Sequence, residues 1–267
     1  MTEPLPSDMA AALAATARRR GPFGDPLYYF SETSSTNDVA GGLAERGAPE
    51  GTTVVAAAQT AGRGRLGREW FSPPGAGLYV SVVCRDLVAA PLLTLAGGVA
   101  VADGIRTATG LPVQIKWPND VVIQPAAPAR ARKLAGILAE ASSGAEGLQY
   151  VVLGFGINLR HAAYPFALTD RATSIEAELG RPPDGGAVLA ETLAALAGAI
   201  AQLSEGPAVI LERWRALAPS AHGGRVEWDT PSGTESGTTA GIGDDGALLV
   251  RTGDRVERIM SGEVQWK

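Results

Sequence analysis

The chain has 267 residues, 45% of them apolar and 19% charged, with a formal net charge of −5. That balance is too apolar for intrinsic disorder and argues against nonspecific nucleic-acid binding by the whole molecule. No apolar run reaches the roughly 18 residues of a membrane span. Residues 1–24 carry acids, prolines and an Arg triplet where a signal peptide would have its apolar core, so a soluble, cytoplasmic protein is expected. The one cysteine, Cys84, excludes an internal disulfide and a multi-thiolate metal site. Length sets a prior just under two domains, at roughly 150 residues each. Lysine occurs only at Lys116, Lys133 and Lys267, and the other 20 basic residues are arginine.

Residues 8–20 read as a short helix with Ser7 as its N-cap, basic residues in the last turn and Gly21 after it. LYYF at 27–30 is a strand candidate, and Ser35-Thr36-Asn37 caps a helix that runs to about Arg46 and stops at Gly47. TTVVAAA at 52–58 is apolar and β-branched, hence a buried strand. Residues 59–76, QTAGRGRLGREWFSPPGA, break the pattern with glycines, prolines and arginines. A loop longer than roughly 12–15 residues is usually a lid or a binding loop when it is ordered. LYVSVVC at 78–84 returns to strand, and an apolar helix follows from Pro91 to near Thr107. Further strands are expected at 113–117, 121–124, 133–141 and 148–157, then helices at 187–203 and 207–217 with Pro207 in the first helical position. Beyond Pro219, short strands separated by Ser-Gly, Asp-Asp-Gly and Thr-Gly-Asp turns suggest a small all-β barrel.

Gly62-Arg63-Gly64-Arg65-Leu66-Gly67 formally matches the dinucleotide fingerprint GxGxxG and follows a strand. That fingerprint needs a helix to open at the glycines. Here Trp70-Phe71-Ser72-Pro73-Pro74-Gly75 follows, which cannot continue a helix. The Gly-Lys-Ser/Thr ending of a phosphate-binding P-loop is also missing. The loop still suits anions: glycines admit close backbone approach, while Arg63, Arg65 and Arg68 offer planar, permanently charged forks. Three other segments stand out: Ile115-Lys116-Trp117-Pro118-Asn119-Asp120, Lys133-Leu134-Ala135-Gly136-Ile137-Leu138 and Gly154-Phe155-Gly156-Ile157-Asn158. Taken singly, turn chemistry, an edge charge and close strand packing explain them equally well.

Taken together and in this order, TSSTN, QTAGRGRLGREWFSP, IKWPND, KLAGIL and GFGIN resemble the biotin–protein ligases, in their short form without an N-terminal DNA-binding domain. The resemblance is dense over about residues 30–160 and extends to GIGDDGALLV and SGEV near the C-terminus. It implies an α+β fold: a mixed-sheet catalytic core of the biotin/lipoate ligase type, related to class II aminoacyl-tRNA synthetases, with a small C-terminal SH3-like β-barrel. The domains would be a helical extension over 1–24, a catalytic biotin/ATP-binding domain over 25–220 and the barrel over 221–267.

The resemblance also implies a reaction. Biotin and ATP give biotinyl-5′-AMP and pyrophosphate, and the biotinyl group then passes to one lysine of a biotin carboxyl carrier protein or domain of acetyl-CoA carboxylase or a related carboxylase. Neither step needs a protein nucleophile, in keeping with only two histidines, His161 and His222. By the same resemblance Ser35, Thr36 and Asn37 bind biotin's ureido head, with Gln59 as a second polar contact. Gly62, Gly64 and Gly136 bring backbone close to biotin. Arg63 and Arg65 hold the carboxylate and the α-phosphate, with Arg68 as a third arginine. Trp70 covers the adenine, Asn119 bonds its edge, and Lys116 and Asn158 complete the ATP site. Lys133 and Arg65 are the catalytic residues, acting by charge stabilisation. Asp120 is the candidate magnesium ligand beside ATP. The QPAAPARAR connection is long for the family and puts Arg130 and Arg132 next to the key lysine.

No DNA and no membrane partner is expected, and an exposed edge strand would allow a homodimer. Two rivals stand beside the ligase: a lipoate-type ligase on the same core and a non-catalytic biotin-binding regulator. Ser35, Thr36 and Gln59 favour a polar ureido ring over a dithiolane.

Overall fold

In a computed structural model, all residues except 1, 126–129, 146, 232 and 261 are described. The apolar runs assemble into one seven-stranded mixed sheet. Its strands are β1 (Leu27–Phe30), β2 (Thr53–Ala56), β3 (Gly77–Cys84), β4 (Gln114–Lys116), β5 (Asp120–Ile123), β6 (Arg132–Gly144) and β7 (Gly147–Asn158). Their spatial order is β1-β2-β3-β7-β6-β5-β4, with β1 and β2 parallel and every other pair antiparallel.

Successive strand side chains point to opposite faces, and the two faces of this sheet are treated differently. One face carries Val80, Val82, Ile137, Leu153, Phe155 and Ile157 into the main core. That core is completed by α1 (Ser7–Arg20), α3 (Leu93–Thr109), α5 (Gly185–Glu205) and α6 (Ala208–Leu217). The other face is covered only in part, by α2 (Thr36–Glu45), whose Ala40 and Ala44 pack on Val54, Val83, Tyr150 and Val152. Beyond α2 that face stays open, and the cavity lies there.

After a short helix α4 (Ile175–Leu179), α5 and α6, the chain forms five antiparallel strands: β8 (His222–Thr230), β9 (Gly233–Ile242), β10 (Leu248–Thr252), β11 (Arg255–Ile259) and β12 (Val264–Trp266), in the order β11-β10-β9-β8-β12. This sheet is consistent with the expected SH3-like unit. Trp117 Nε1 donates to the Gly246 carbonyl at 3.0 Å, tying the two sheets together.

Three expectations need correction. The first helix begins at Ser7 with Pro6 in the capping position and no side-chain cap, because Ser7 itself is inside the helix. Ser35 sits at the cap of α2 with extended backbone, yet its hydroxyl makes no cap bond. The helix is capped instead by Gln59, whose Oε1 accepts from the Thr36 N–H at 2.8 Å and from its hydroxyl at 3.1 Å. Finally, α5 is long and apolar enough to cross a membrane by length and composition, although its sequence is interrupted by Glu191 and Thr192. Most of that stretch, 61%, is buried, and it lies between α1 and α3 as a core helix.

Gly104 of α3 marks how closely that core is packed. A Cβ there would lie 2.4 Å from Thr192 Oγ1 and 2.5 Å from the Thr192 Cα, and backbone cannot yield as a flexible side chain can. Gly104→Ala is expected to destabilise the fold by about 1–3 kcal/mol, lowering Tm by roughly 2–4 °C per kcal/mol. An unchanged melting curve would refute this account of the α3–α5 contact.

Candidate active site

The open face holds one large cavity of about 490 Å³, within the range of roughly 300–1,000 Å³ usual for small-molecule sites. Its floor follows from strand periodicity. On β7, Gly154, Gly156 and Asn158 share the face of Val152; on β6, Gly136 pairs across to Gly156 and Leu138 to Gly154. Side chains are therefore missing where the sheet would otherwise fill the cavity. A Cβ on Gly156 would lie 2.4 Å from Trp70 Nε1, and one on Gly136 would lie 2.9 Å from the same ring.

At one end the cavity is neutral and polar, built on the N-terminus of α2. Ser35, Thr36, Asn37 and Gln59 all line it. Ser81 Oγ lies 2.8 Å from Thr36 Oγ1 and 2.5 Å from Asn37 Oδ1. Asn37 Nδ2 donates to Glu140 at 2.5 Å. Gln59 Nε2 donates to Ser72 Oγ at 3.0 Å, and Ser72 Oγ donates to the Trp70 carbonyl at 2.9 Å. The amides of Asn37 and Gln59 are thus held in place by protein partners.

The other end is cationic. Lys133 Nζ pairs with Asp120 at 2.6 Å and sits 5.0 Å from the Trp70 ring centroid. Its backbone is pinned on both sides: its N–H donates to the Arg171 carbonyl at 2.7 Å, and its carbonyl accepts from the Thr173 N–H at 2.8 Å. Arg65 and Lys116 line the same end, and among the described residues neither has a carboxylate in ion-pair contact. Burial lowers the pKa of both, with Asp120 opposing the shift. A desolvated, unpaired cation favours an anionic ligand.

The glycine-arginine loop is folded over this cavity. Arg63 and Glu69 form an isolated antiparallel bridge, the Gly64 N–H donates to the Arg68 carbonyl at 2.7 Å, and the Trp70 N–H donates to the Gly62 carbonyl at 2.9 Å. Leu66 sits at its tip with φ 59° and 67% exposure, a left-handed conformation that costs a branched residue about 1–3 kcal/mol.

Not every expected residue is in position to meet a ligand. Gly62 does not line the cavity; a Cβ there would lie 2.5 Å from the Trp70 carbonyl oxygen, so it serves the loop's own packing. Arg63 is held by Asp38 at 2.6 Å and Glu140 at 2.9 Å, and its pKa is raised chiefly by the Glu140 hydrogen bond. Arg68 is engaged by Glu263 of the C-terminal sheet. Asn119 Nδ2 donates to the Ile137 carbonyl at 2.7 Å, and its Oδ1 accepts from Arg65 at 3.4 Å. Asn158 Nδ2 donates to the Thr173 carbonyl at 3.0 Å. Arg132 does not crowd Lys133, since Glu178 holds it at 2.8 Å; residues 126–129 of the long connection lie outside the described residues.

The sequence reading missed Ser81, Glu140 and Glu263. The first two had a signal, a polar residue inside an apolar strand; Glu263 stood within the SGEV motif but was given no place at the site. For magnesium, no group of three or more His, Cys, Asp or Glu converges among the described residues. Asp120 is already paired with Lys133, so these donors do not build a resident metal centre.

The shift at Lys116 has a consequence for stability. Its folded pKa lies below the ordinary 10.5, so holding it charged in the fold is unfavourable at neutral pH. That penalty fades as pH rises past the lowered value towards 10.5. Lys116→Met is therefore expected to raise Tm at pH 7 by more than at pH 10, measured by calorimetry in matched salt. An equal or smaller gain at pH 7 would contradict the burial account.

Comparison with known proteins places this architecture. The Biotin/lipoate A/B protein ligase family matches residues 29–158, and the Biotin protein ligase C terminal domain matches residues 222–266. The bifunctional ligase/repressor BirA of Bacillus subtilis is 36% identical over 91% of this chain and 74% of its own length. The biotin–[acetyl-CoA-carboxylase] ligase of Paracoccus denitrificans is 36% identical over 83% of this chain and 92% of its own. Among solved structures, the Aquifex aeolicus biotin protein ligase in complex with biotin and ATP superposes with a TM-score of 0.76 at 28% identity, covering 90% of this chain and 98% of the other. With the two-ended cavity and the second sheet at its rim, these matches establish that the chain belongs to the biotin protein ligase family and is a ligase enzyme.

Proposed function

We propose that this protein activates biotin with ATP and transfers the biotinyl group to one lysine on the biotin carrier of acetyl-CoA carboxylase or a related carboxylase. The observation that carries this reading is one cavity with a neutral polar end at α2 and a cationic end at Lys133, joined by a floor of glycines. The neutral end suits a ureido ring, the glycine floor suits an apolar ring and chain, and the cations suit a carboxylate beside phosphates.

In the first step a biotin carboxylate oxygen attacks the α-phosphorus of ATP, and pyrophosphate leaves. Lys133 turns from Asp120 to the reacting oxygens and neutralises charge that builds in the transition state. Arg65, the arginine of the loop without a carboxylate partner, grips the carboxylate and α-phosphate with its planar fork. Lys116 meets the outer phosphates, whose negative charge offsets the cost of burying its own. Trp70 covers the bound nucleotide, with Asn119 and Asn158 at the edge of its site. Mg²⁺ accompanies ATP as part of the nucleotide substrate, not as a resident ion. In the second step the carrier lysine's amine attacks the acyl carbon, and AMP departs with the bridging oxygen. The folded loop keeps water from the mixed anhydride between the steps.

We place the reaction in the cytoplasm and assign the chain no DNA or membrane partner; a homodimer through a free edge of the larger sheet is compatible with it. The domain division at 24/25 and 220/221 is part of the same proposal.

Mass spectrometry of a carrier domain after incubation with biotin and ATP tests the reading. Lys133→Ala is expected to reduce transfer at least about 10²-fold with an unchanged fold; undiminished transfer would remove Lys133 from its role. In competition, biotin is expected to be adenylated in preference to lipoate, and the reverse preference would replace this reading by a lipoate ligase. Tight biotin binding without pyrophosphate release would indicate a regulator.

A further inference from the structure

Glu140 lies outside the cavity lining, on the same face of β6 as Gly136 and Leu138. Its Oε2 accepts from Asn37 Nδ2 at 2.5 Å and from the Arg63 guanidinium at 2.9 Å. Arg63's second arm donates to Asp38, one residue after Asn37, at 2.6 Å. One carboxylate therefore touches both the head-group end of the cavity and the start of the glycine-arginine loop.

The rest of the network closes the circuit. From Asn37 the polar contacts pass through Ser81, Thr36, Gln59 and Ser72 to the Trp70 carbonyl. Arg63 and Trp70 bracket the loop, so the chain of hydrogen bonds leaves one end of the loop, runs beneath the head-group end and returns to the other. Asn37 reaches its place only because residue 154 is glycine: a Cβ there would lie 2.2 Å from Asn37 Oδ1. Amide orientation is the weak point of this circuit. Reversed, Asn37 would set its carbonyl against the Glu140 carboxylate, and only Glu140 defines its polarity from that side.

We propose that Glu140 is a positioning residue that couples head-group binding to the loop, fixing the Asn37 amide and, with Asp38, anchoring Arg63. The inference rests on the biotin reading for its ligand, though not for its loop contact. Arg63 is on this account a structural anchor, which leaves Arg65 as the loop arginine without a carboxylate partner to grip the anion beside Lys116 and Lys133.

Three variants separate the two contacts. Glu140→Ala removes both, Asp38→Asn weakens only the Arg63 arm, and Glu140→Gln keeps an acceptor for Asn37 while losing the charge on Arg63. In ligand-free protein, trypsin cleavage at Arg65 and Arg68 is expected to be about 3-fold faster in all three, through loss of charge-assisted bonds at the surface. Biotin Kd, by calorimetry, is expected to rise about 10-fold in Glu140→Ala, to stay within about 3-fold in Glu140→Gln and to be unchanged in Asp38→Asn, with ATP affinity unaltered throughout. Wild-type cleavage and biotin affinity in Glu140→Ala would overturn the proposal, as would a parallel loss of Tm, biotin affinity and ATP affinity in all three variants. Failure of the wild-type protein to bind biotin would instead reject the ligand reading, and the cleavage rates would still decide whether Glu140 anchors the loop.

Discussion

The absence of side chains along one stretch of sheet is the constraint on which the site depends. A sheet with both faces covered reads as apolar on both, and the main-core face of this one obeys that rule. On the other face, Gly136 stands directly across from Gly156, with Gly154 two residues away on the same strand. Trp70 lies against the first two and the Asn37 amide against the third. A methyl group at any of these positions would collide with the ring or the amide. Glycine in a strand interior weakens the strand, and here the loss is offset by long pairing: around Gly154 and Gly156, β7 is paired with β3 from Val151 to Asn158 on one side and with β6 on the other.

Charge is distributed with the same economy of position. Of the five cations nearest the loop and the β4–β5 turn, Arg63 and Arg68 are each matched with acids at the surface, Arg63 with 41% and Arg68 with 63% of its side chain exposed. Such pairs contribute little to stability, typically about 0–1 kcal/mol, but they fix where the loop lies. Arg65 and Lys116 are the opposite case, half-buried and unmatched, and disfavoured as cations in the free protein. Lys133 is intermediate, with Asp120 as a partner it can leave. The protein thus separates cations that hold structure from cations that await an anion, and local partners make the distinction, since residue type does not.

This explains how much could be read from the chain beforehand. The strands at 53–56, 77–84 and 147–158 and the buried α3 and α5 follow from apolar periodicity, which depends on near neighbours alone. The motif order reached the family and the polar and charged part of the cavity, but not Val80, Ala163, Tyr164, Pro165, Leu168 or Ala172, which also line it. It could not tell Arg63 from Arg65, because the difference lies in Asp38 and Glu140, 25 and 77 residues from Arg63 in sequence. Nor could it show that Gln59 caps α2 through Thr36, a contact that suppresses the obvious reading of Ser35 as the cap. Glu263 was quoted within SGEV, but its place at the site was out of reach for the same reason: only the docking of the second sheet brings it to Arg68.

The loop shows what these separations achieve together. A glycine-rich segment with three arginines would be expected to disperse in solvent, by chain entropy and like-charge repulsion. Here its arginines are divided among Asp38, Glu140, Asn119 and Glu263, contributed by α2, β6, the β4–β5 turn and the C-terminal sheet. The loop is therefore tied to four separate parts of the fold, each by a contact weak enough to break, and Leu66 carries left-handed strain at its tip. Arg63 is held beside the head-group end and Arg65 beside the cationic end, so both halves of the cavity position the one segment that covers them. For chemistry that joins two substrates and must exclude water from the product, that shared anchorage sets a single cover over both.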